Sequence, residues 1–214
     1  MLRVAARVAI YREASPALFK SKPFHGFLFT SNAALTSSQM TDLRYPIGKF
    51  EHEGEITSED VLRWIDQIEA LPHQVRAAVE DLLDEQLDTP YRPGGWTVRQ
   101  VVHHIGDSHL NSLVRFNWAL TGDEPVIKAY HQDRWADLAD YQDVLIETSL
   151  SFLKTLHVRL VALLRSLDSD DLARRFVHPE SGPITLARNI GVYAWHGRHH
   201  LAHITALKER EGWE

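Results

Sequence analysis

Thr97-Val-Arg-Gln-Val-Val-His-His-Ile-Gly-Asp-Ser-His-Leu-Asn-Ser-Leu-Val-Arg-Phe-Asn-Trp-Ala-Leu-Thr-Gly122 is the stretch on which the fold turns. Thr97 is an N-cap residue, and Gln100 stands three positions on, which makes a capping box. Val98, Val102, Ile105, His109, Leu113, Phe116 and Leu120 then recur at helical spacing as one apolar stripe. Gly122 stops the pattern. The segment is therefore an amphipathic helix.

Similar helices stand on either side. Upstream, Thr57 and Ser58 precede an acidic first turn, Glu59 and Asp60, and Val61, Leu62, Ile65, Ile68 and Leu71 follow at helical spacing. Pro72 kinks or restarts that helix, and Val75, Val79, Leu82 and Leu83 continue it. The run Thr89-Pro-Tyr-Arg-Pro-Gly-Gly95 is a loop, since two prolines and two glycines break a helix. Downstream, residues 123–139 read as a long connection anchored by Trp135 and Leu138. A third helix spans about 141–166, with Leu145, Leu153, Leu156, Leu160, Leu163 and Leu164. A loop with Pro179, Gly182 and Pro183 leads to Thr185, which caps a fourth helix from 186 to about 210. No run alternates like a strand. The expectation is an all-α four-helix bundle.

The 214 residues suit one domain, and six Trp, six Tyr and eight Phe can furnish its core. With no cysteine, disulfide frameworks, thiolate metal sites and cysteine nucleophiles are excluded. The net charge of −6 argues against a dedicated nucleic-acid binder, and no apolar stretch is long enough to span a membrane. Charge is uneven. Residues 1–39 hold five basic residues (Arg3, Arg7, Arg12, Lys20, Lys22) and a single acid, Glu13. That composition is like a targeting segment, but Arg7 interrupts the apolar run Val4–Tyr11. Two expectations stand for 1–39: a disordered extension, or sequence upstream of a protein that starts at Met40. Residues 40–214 form the bundle.

Seven of the 13 histidines fall in two windows, His103-His104-Ile-Gly-Asp-Ser-His109 and His196-Gly-Arg-His199-His200-Leu-Ala-His203. Residues i and i+4 share a helix face, so His196 with His200, or His199 with His203, can hold one metal ion. A third histidine from a facing helix would complete a three-nitrogen site with an open position. At about 100° per residue, His200 lies on the buried stripe with Tyr193, Ile204, Leu207 and Leu186. His196 is roughly 40° to one side, His203 roughly 60° and His199 roughly 100° away. The pair His196 and His200 is favoured, with His203 as an alternative ligand or supporting residue. On the second helix the stripe centres near His109. His104 lies on the other side with Val101, Ser108, Asn111 and Ser112, and periodicity alone chooses His109. The six remaining histidines, His157 among them, read as surface or hydrogen-bonded groups. No Glu-x-x-His, HExxH, GxSxG, GxGxxG or P-loop pattern occurs.

Four stretches carry a family resemblance: Tyr45-Pro-Ile-Gly-Lys-Phe50, Asp88 through Trp96 to His104, Asp107-Ser-His109, and Trp195 to His203. From about Arg44 to its end the chain resembles the DinB-like superfamily in its YfiT branch. Members are provisionally named metal-dependent hydrolases, and related ones are bacillithiol S-transferases. The resemblance implies one divalent metal, zinc first and nickel second, on His104, His196 and His200. If that holds, Ser108, Asn111 and Ser112 line a cavity. It also implies a cytoplasmic homodimer. The leading expectation is a hydrolase whose open metal position activates water. The alternatives are metal-dependent transfer of a low-molecular-weight thiol, or a non-catalytic metal- or ligand-binding bundle. His109, Asp107, Asn111, Arg115, Arg198 and His203 are candidates for supporting or substrate-contacting roles. The partners expected are a small-molecule substrate and, in the transferase reading, a thiol cosubstrate, with neither nucleic acid nor membrane.

Overall fold

The computed structural model describes residues 43–213. The expected extension 1–39 and the expected start at Met40 lie outside the described residues. Four long helices make the frame: α1 (Ser58–Val79), α3 (Val98–Thr121), α6 (Ile146–Arg165) and α8 (Leu186–Glu211). Short helices α2 (Asp84–Leu87), α4 (Gln132–Ala136), α5 (Asp140–Asp143) and α7 (Ser169–Ala173) lie between them. Among the described residues no helix is long and apolar enough to cross a membrane.

The caps form where the residues call for them. The Asp60 amide donates to Thr57 Oγ1 at 3.1 Å, and the Thr57 amide donates to Asp60 Oδ2 at 3.0 Å. Thr97 and Gln100 close the same box at 3.1 and 2.9 Å. Thr185 Oγ1 accepts the Arg188 amide at 3.2 Å. Gly212 ends α8 in the left-handed region at φ 68°, and the Trp213 amide folds back onto the Lys208 carbonyl. α1 runs through Pro72 as one helix and stops at Val79. Leu83, expected on its stripe, is 66% exposed.

The connections depart from expectation in three ways. The segment after α3 carries α4 and α5, and its buried anchors are Ile127, Ala136 and Tyr141, whereas Trp135 is half-buried and Leu138 is exposed. Tyr141 seats there because its phenol donates to Asp107 Oδ2 at 2.6 Å. α6 begins at Ile146 because Val144 is extended and Leu145, also exposed, is its N-cap. The Pro179 loop is the turn of an antiparallel hairpin, β1 (Arg175–His178) with β2 (Gly182–Thr185), in which Phe176 pairs with Ile184. Each strand has four residues, and only Phe176 is fully buried, too little alternation to read.

α1 packs on α8 and α6, and α3 packs on α6 and α8. The apolar core has two parts. One end of the bundle joins Ile65, Ile68, Phe116, Leu160, Phe176 and Ile190. The other joins Leu71, Val75, Val102, Ile105, Leu153 and Ile204. Between these levels α3, α6 and α8 bury polar side chains: His104, Ser108, His109, Ser112, His157 and His200. The histidine windows therefore form a polar belt across the middle of the bundle. Burying so much polarity is costly unless the groups find partners.

Candidate metal centre

His104 on α3 meets His196 and His200 on α8 in that belt. One ring nitrogen from each lies within 4.8 Å of the others. The Nε2 atoms of His104 and His196 are 3.2 Å apart, and Ser108 Oγ is 3.3 Å from His196 Nε2. Ring centroids are 4.5 Å apart for His196 and His200, and 4.7 Å for His104 and His200. The indole of Trp96, from the Pro/Gly loop, lies 4.6 Å from the His104 ring and stacks at 6.1 Å on that of His200. The loop is braced by the Tyr91 amide donating to the Trp96 carbonyl at 3.0 Å.

Burial keeps the cluster neutral. It pushes the His104 pKa down to about 3, with the neighbouring imidazoles adding to the effect. Burial first, and then the other histidines, hold His196 and His200 well below their ordinary value. Neutral rings at pH 7 carry the free lone pairs that a cation needs.

Two cavities open on this cluster. One of about 780 Å³ runs along α3 and α8 past Ser108, Arg115, Tyr130, Asn189, Tyr193 and His196. The second, of about 360 Å³, is lined by Tyr91, Trp96, Trp195, His196, His200 and His203. His196, Gln132 and Asp133 line both, so α4 lies where they meet. A groove of about 530 Å³ between α1 and α6 touches the belt through His157.

The other expected residues separate. Ser108 and Ser112 are buried and Asn111 half-buried, so that strip does not face bulk water. The Asn111 amide donates to the Asp107 carbonyl one turn back. Asp107 takes the Tyr141 phenol and so braces α5 instead of a metal-bound imidazole; burial raises its pKa. Arg115 donates to Tyr193 Oη at 3.2 Å in the larger cavity. Arg198 is exposed, away from the cluster. His203 donates from Nε2 to the Arg44 carbonyl at 3.1 Å and stacks on Tyr91 at 3.9 Å, which ties down the segment before α1. With the proton on Nε2, Nδ1 of His203 is a lone pair without a partner among the described residues, and His203 is not one of the three histidines whose nitrogens converge. His109 is fully buried and joins His157, 3.0 Å away. Trp96, Tyr91, Tyr130, Asn189 and Tyr141 were not singled out as site residues in the sequence. Tyr91 lies in the loop that the prolines and glycines had marked, Trp96 follows it directly, and the others carry no local signal.

The buried imidazoles make the metal-free protein acid-sensitive. Burial lowers the His157 pKa from 6.5 to about 4, partly offset by its bond to the Ile68 carbonyl. Between those values the unfolded chain binds the proton and the folded chain does not, so stability falls as pH falls. The contribution is fully present above pH 6.5 and is lost towards pH 4, about 3 kcal/mol for this residue alone. Urea midpoints of metal-free protein should hold steady above pH 7 and drop between pH 6.5 and 4. In His157→Leu the drop should be shallower.

A sequence profile described as the DinB superfamily matches residues 67–204. A Bacillus mycoides protein, provisionally named a metal-dependent hydrolase, is 55% identical over 174 residues, covering 81% of this chain and all of the relative. An Oceanobacillus iheyensis protein with the same provisional name is 54% identical over 170 residues, covering 79% of this chain and 98% of the relative. The solved structure of YfiT from Bacillus subtilis superposes with a TM-score of 0.79 at 46% identity, covering 81% of this chain and 99% of that one. It is described as "a probable metal-dependent hydrolase with an unusual four-helix bundle topology". Another four-helix bundle, 20% identical with a TM-score of 0.50, shares the fold.

Proposed function

This chain belongs to the DinB superfamily, and from that premise we propose that it is a metal-dependent hydrolase of small molecules, with one divalent ion held by His104, His196 and His200. The observation that carries the proposal is the convergence of three neutral imidazoles at the meeting point of two cavities. The donor set fits the ion: three imidazole nitrogens suit zinc and nickel alike, and leave a coordination position for substrate or water. Zinc is the first expectation. Such an ion, when bound, polarises carbonyl groups and lowers the pKa of a coordinated water to about 7.

The chain's own groups then set access and orientation. Trp96 covers His104 and His200 and limits water on that side. Ser108, beside His196, offers a hydroxyl at the floor of the larger cavity. Arg115, held by Tyr193, places a cation along the same wall. Burial raises the Tyr130 pKa to about 12, so its phenol stays a neutral donor there. Asp107 accepts the Tyr141 phenol at Oδ2, which ties that carboxylate to α5.

Transfer of a low-molecular-weight thiol is the second reading. It is favoured by the two cavities, which give separate approaches to His196 for a thiol and its acceptor. A cytoplasmic homodimer belongs to the same family-based proposal. The test compares zinc-loaded, nickel-loaded and chelator-stripped protein on a panel of esters and amides, and separately on a thiol with an electrophilic acceptor. Turnover of the panel that disappears on stripping supports the hydrolase. Metal-dependent consumption of thiol alone supports the transferase. A metal-loaded protein inert in both assays overturns the enzyme reading and leaves a binding bundle.

A further inference from the structure

Two buried imidazoles outside the three-histidine cluster have tautomers fixed by their partners. His157 Nδ1 lies 2.7 Å from the Ile68 carbonyl oxygen. A carbonyl only accepts, so Nδ1 carries the proton, and Nε2 of neutral His157 is a bare lone pair. His109 Nδ1 lies 3.0 Å from that Nε2. His109 therefore donates to His157, and its own Nε2 is left as an acceptor. That nitrogen is buried and has no partner among the described residues.

The two nitrogens of an imidazole point to nearly opposite sides of the ring, so His109 Nε2 points away from His157. The other rings packed on His109 are Tyr193, edge-on at 5.2 Å, and His196 at 5.5 Å. His196 turns its Nε2 to His104 and Ser108, and its Nδ1 is buried without a partner among the described residues. If Nε2 of a neutral His196 offers its lone pair to a cation, the ring proton sits on Nδ1. A stranded donor and a stranded acceptor thus lie on adjacent rings. The His109 and His157 rings, already bonded, are 4.8 Å apart, so 5.5 Å leaves a small closure.

We propose that His109 is a positioning residue for His196: its Nε2 accepts the His196 Nδ1–H, in a chain of three imidazoles that ends on the Ile68 carbonyl. The proposal rests on the metal reading given above. The chain fixes which nitrogen of His196 faces the cluster and in what orientation, the service a second partner gives a metal-bound imidazole. It also gives a reason for two histidines buried beside an apolar core.

The test has two arms. The first is the dissociation constant for zinc, by competition with a chromophoric chelator, in wild type, His109→Leu and His109→Gln, each checked for folding by circular dichroism. His109→Leu should bind zinc about 10–100-fold more weakly. His109→Gln, whose amide oxygen still accepts, should recover part of the loss. The second is nitrogen-15 imidazole NMR of the wild type, which needs no variant. In the zinc-loaded protein His109 Nε2 should be unprotonated and His196 should show one slowly exchanging Nδ1–H. Unchanged zinc affinity in a folded His109→Leu, or a proton on His109 Nε2, overturns the relay while leaving the metal site standing. A wild type that binds neither zinc nor nickel overturns the metal site, and the relay with it.

Discussion

Gly197→Val is expected to lower stability by about 3 kcal/mol, a fall in Tm of roughly 6–12 °C. Gly197 sits on α8 between His196 and His200, with its Cα face against Leu71 of α1. A Cβ there would fall inside the envelope of Leu71 Cδ2, and Leu71 is 1% exposed with no room to retreat. Gly191, two turns earlier, is pressed in the same way by Phe50 and Trp64. These close approaches let α8 lie on α1 while it turns His196 and His200 towards α3. Gly197→Ala should cost less, because helix propensity returns about 1 kcal/mol. Gly106→Ala is the control: its Cβ meets only the half-exposed Phe152 ring, at 3.3 Å, and should be near neutral. Thermal melts of the three variants check the series. Equal losses for Gly106→Ala and Gly197→Val would contradict the packing account.

His200→Ala should act on the metal and hardly on the fold. Its ring nitrogen Nδ1 has no hydrogen-bond partner among the described residues, and one flank opens on the smaller cavity. Metal-free His200→Ala should therefore lie within about 1 kcal/mol of wild type. Zinc at 1,000 times its dissociation constant stabilises a protein by about 4 kcal/mol, and the variant should lose that increment. Its zinc affinity should fall by more than the 10–100-fold typical of a lost supporting residue. Thermal shifts with and without zinc measure both quantities. A full zinc-dependent shift in His200→Ala would remove His200 from the ligand set.

Much of this was legible in the chain. The box of Thr97 and Gln100, the stop at Gly122 and the cap at Thr185 are local signals, and the helices they bound form as read. The angular argument on α8 selected His196 and His200, the pair that meets His104. Arg198, a candidate for a supporting or substrate-contacting role, is exposed instead. The third histidine was another matter. Periodicity chose His109, yet α3 is buried almost all round from Val98 to His109, so a stripe cannot rank its sides. Both histidines are buried. His104 meets His196 on α8, and His109 lies between His157 on α6 and the Tyr193 and His196 rings on α8. The hairpin was unreadable because its strands have four residues each and only Phe176 is fully buried, and the Tyr141–Asp107 bond because its partners stand 34 residues apart. His203, an alternative ligand or supporting residue by angle, reaches the Arg44 carbonyl through Nε2, a contact no spacing encodes.

The central claim is that His104, His196 and His200 together hold one divalent ion. Elemental mass spectrometry of untagged protein, after incubation with zinc or nickel and desalting, tests it most directly, with His104→Ala alongside. The account predicts about one ion per chain in the wild type and essentially none in His104→Ala. An empty wild type, or a His104→Ala protein that keeps its ion, would contradict it.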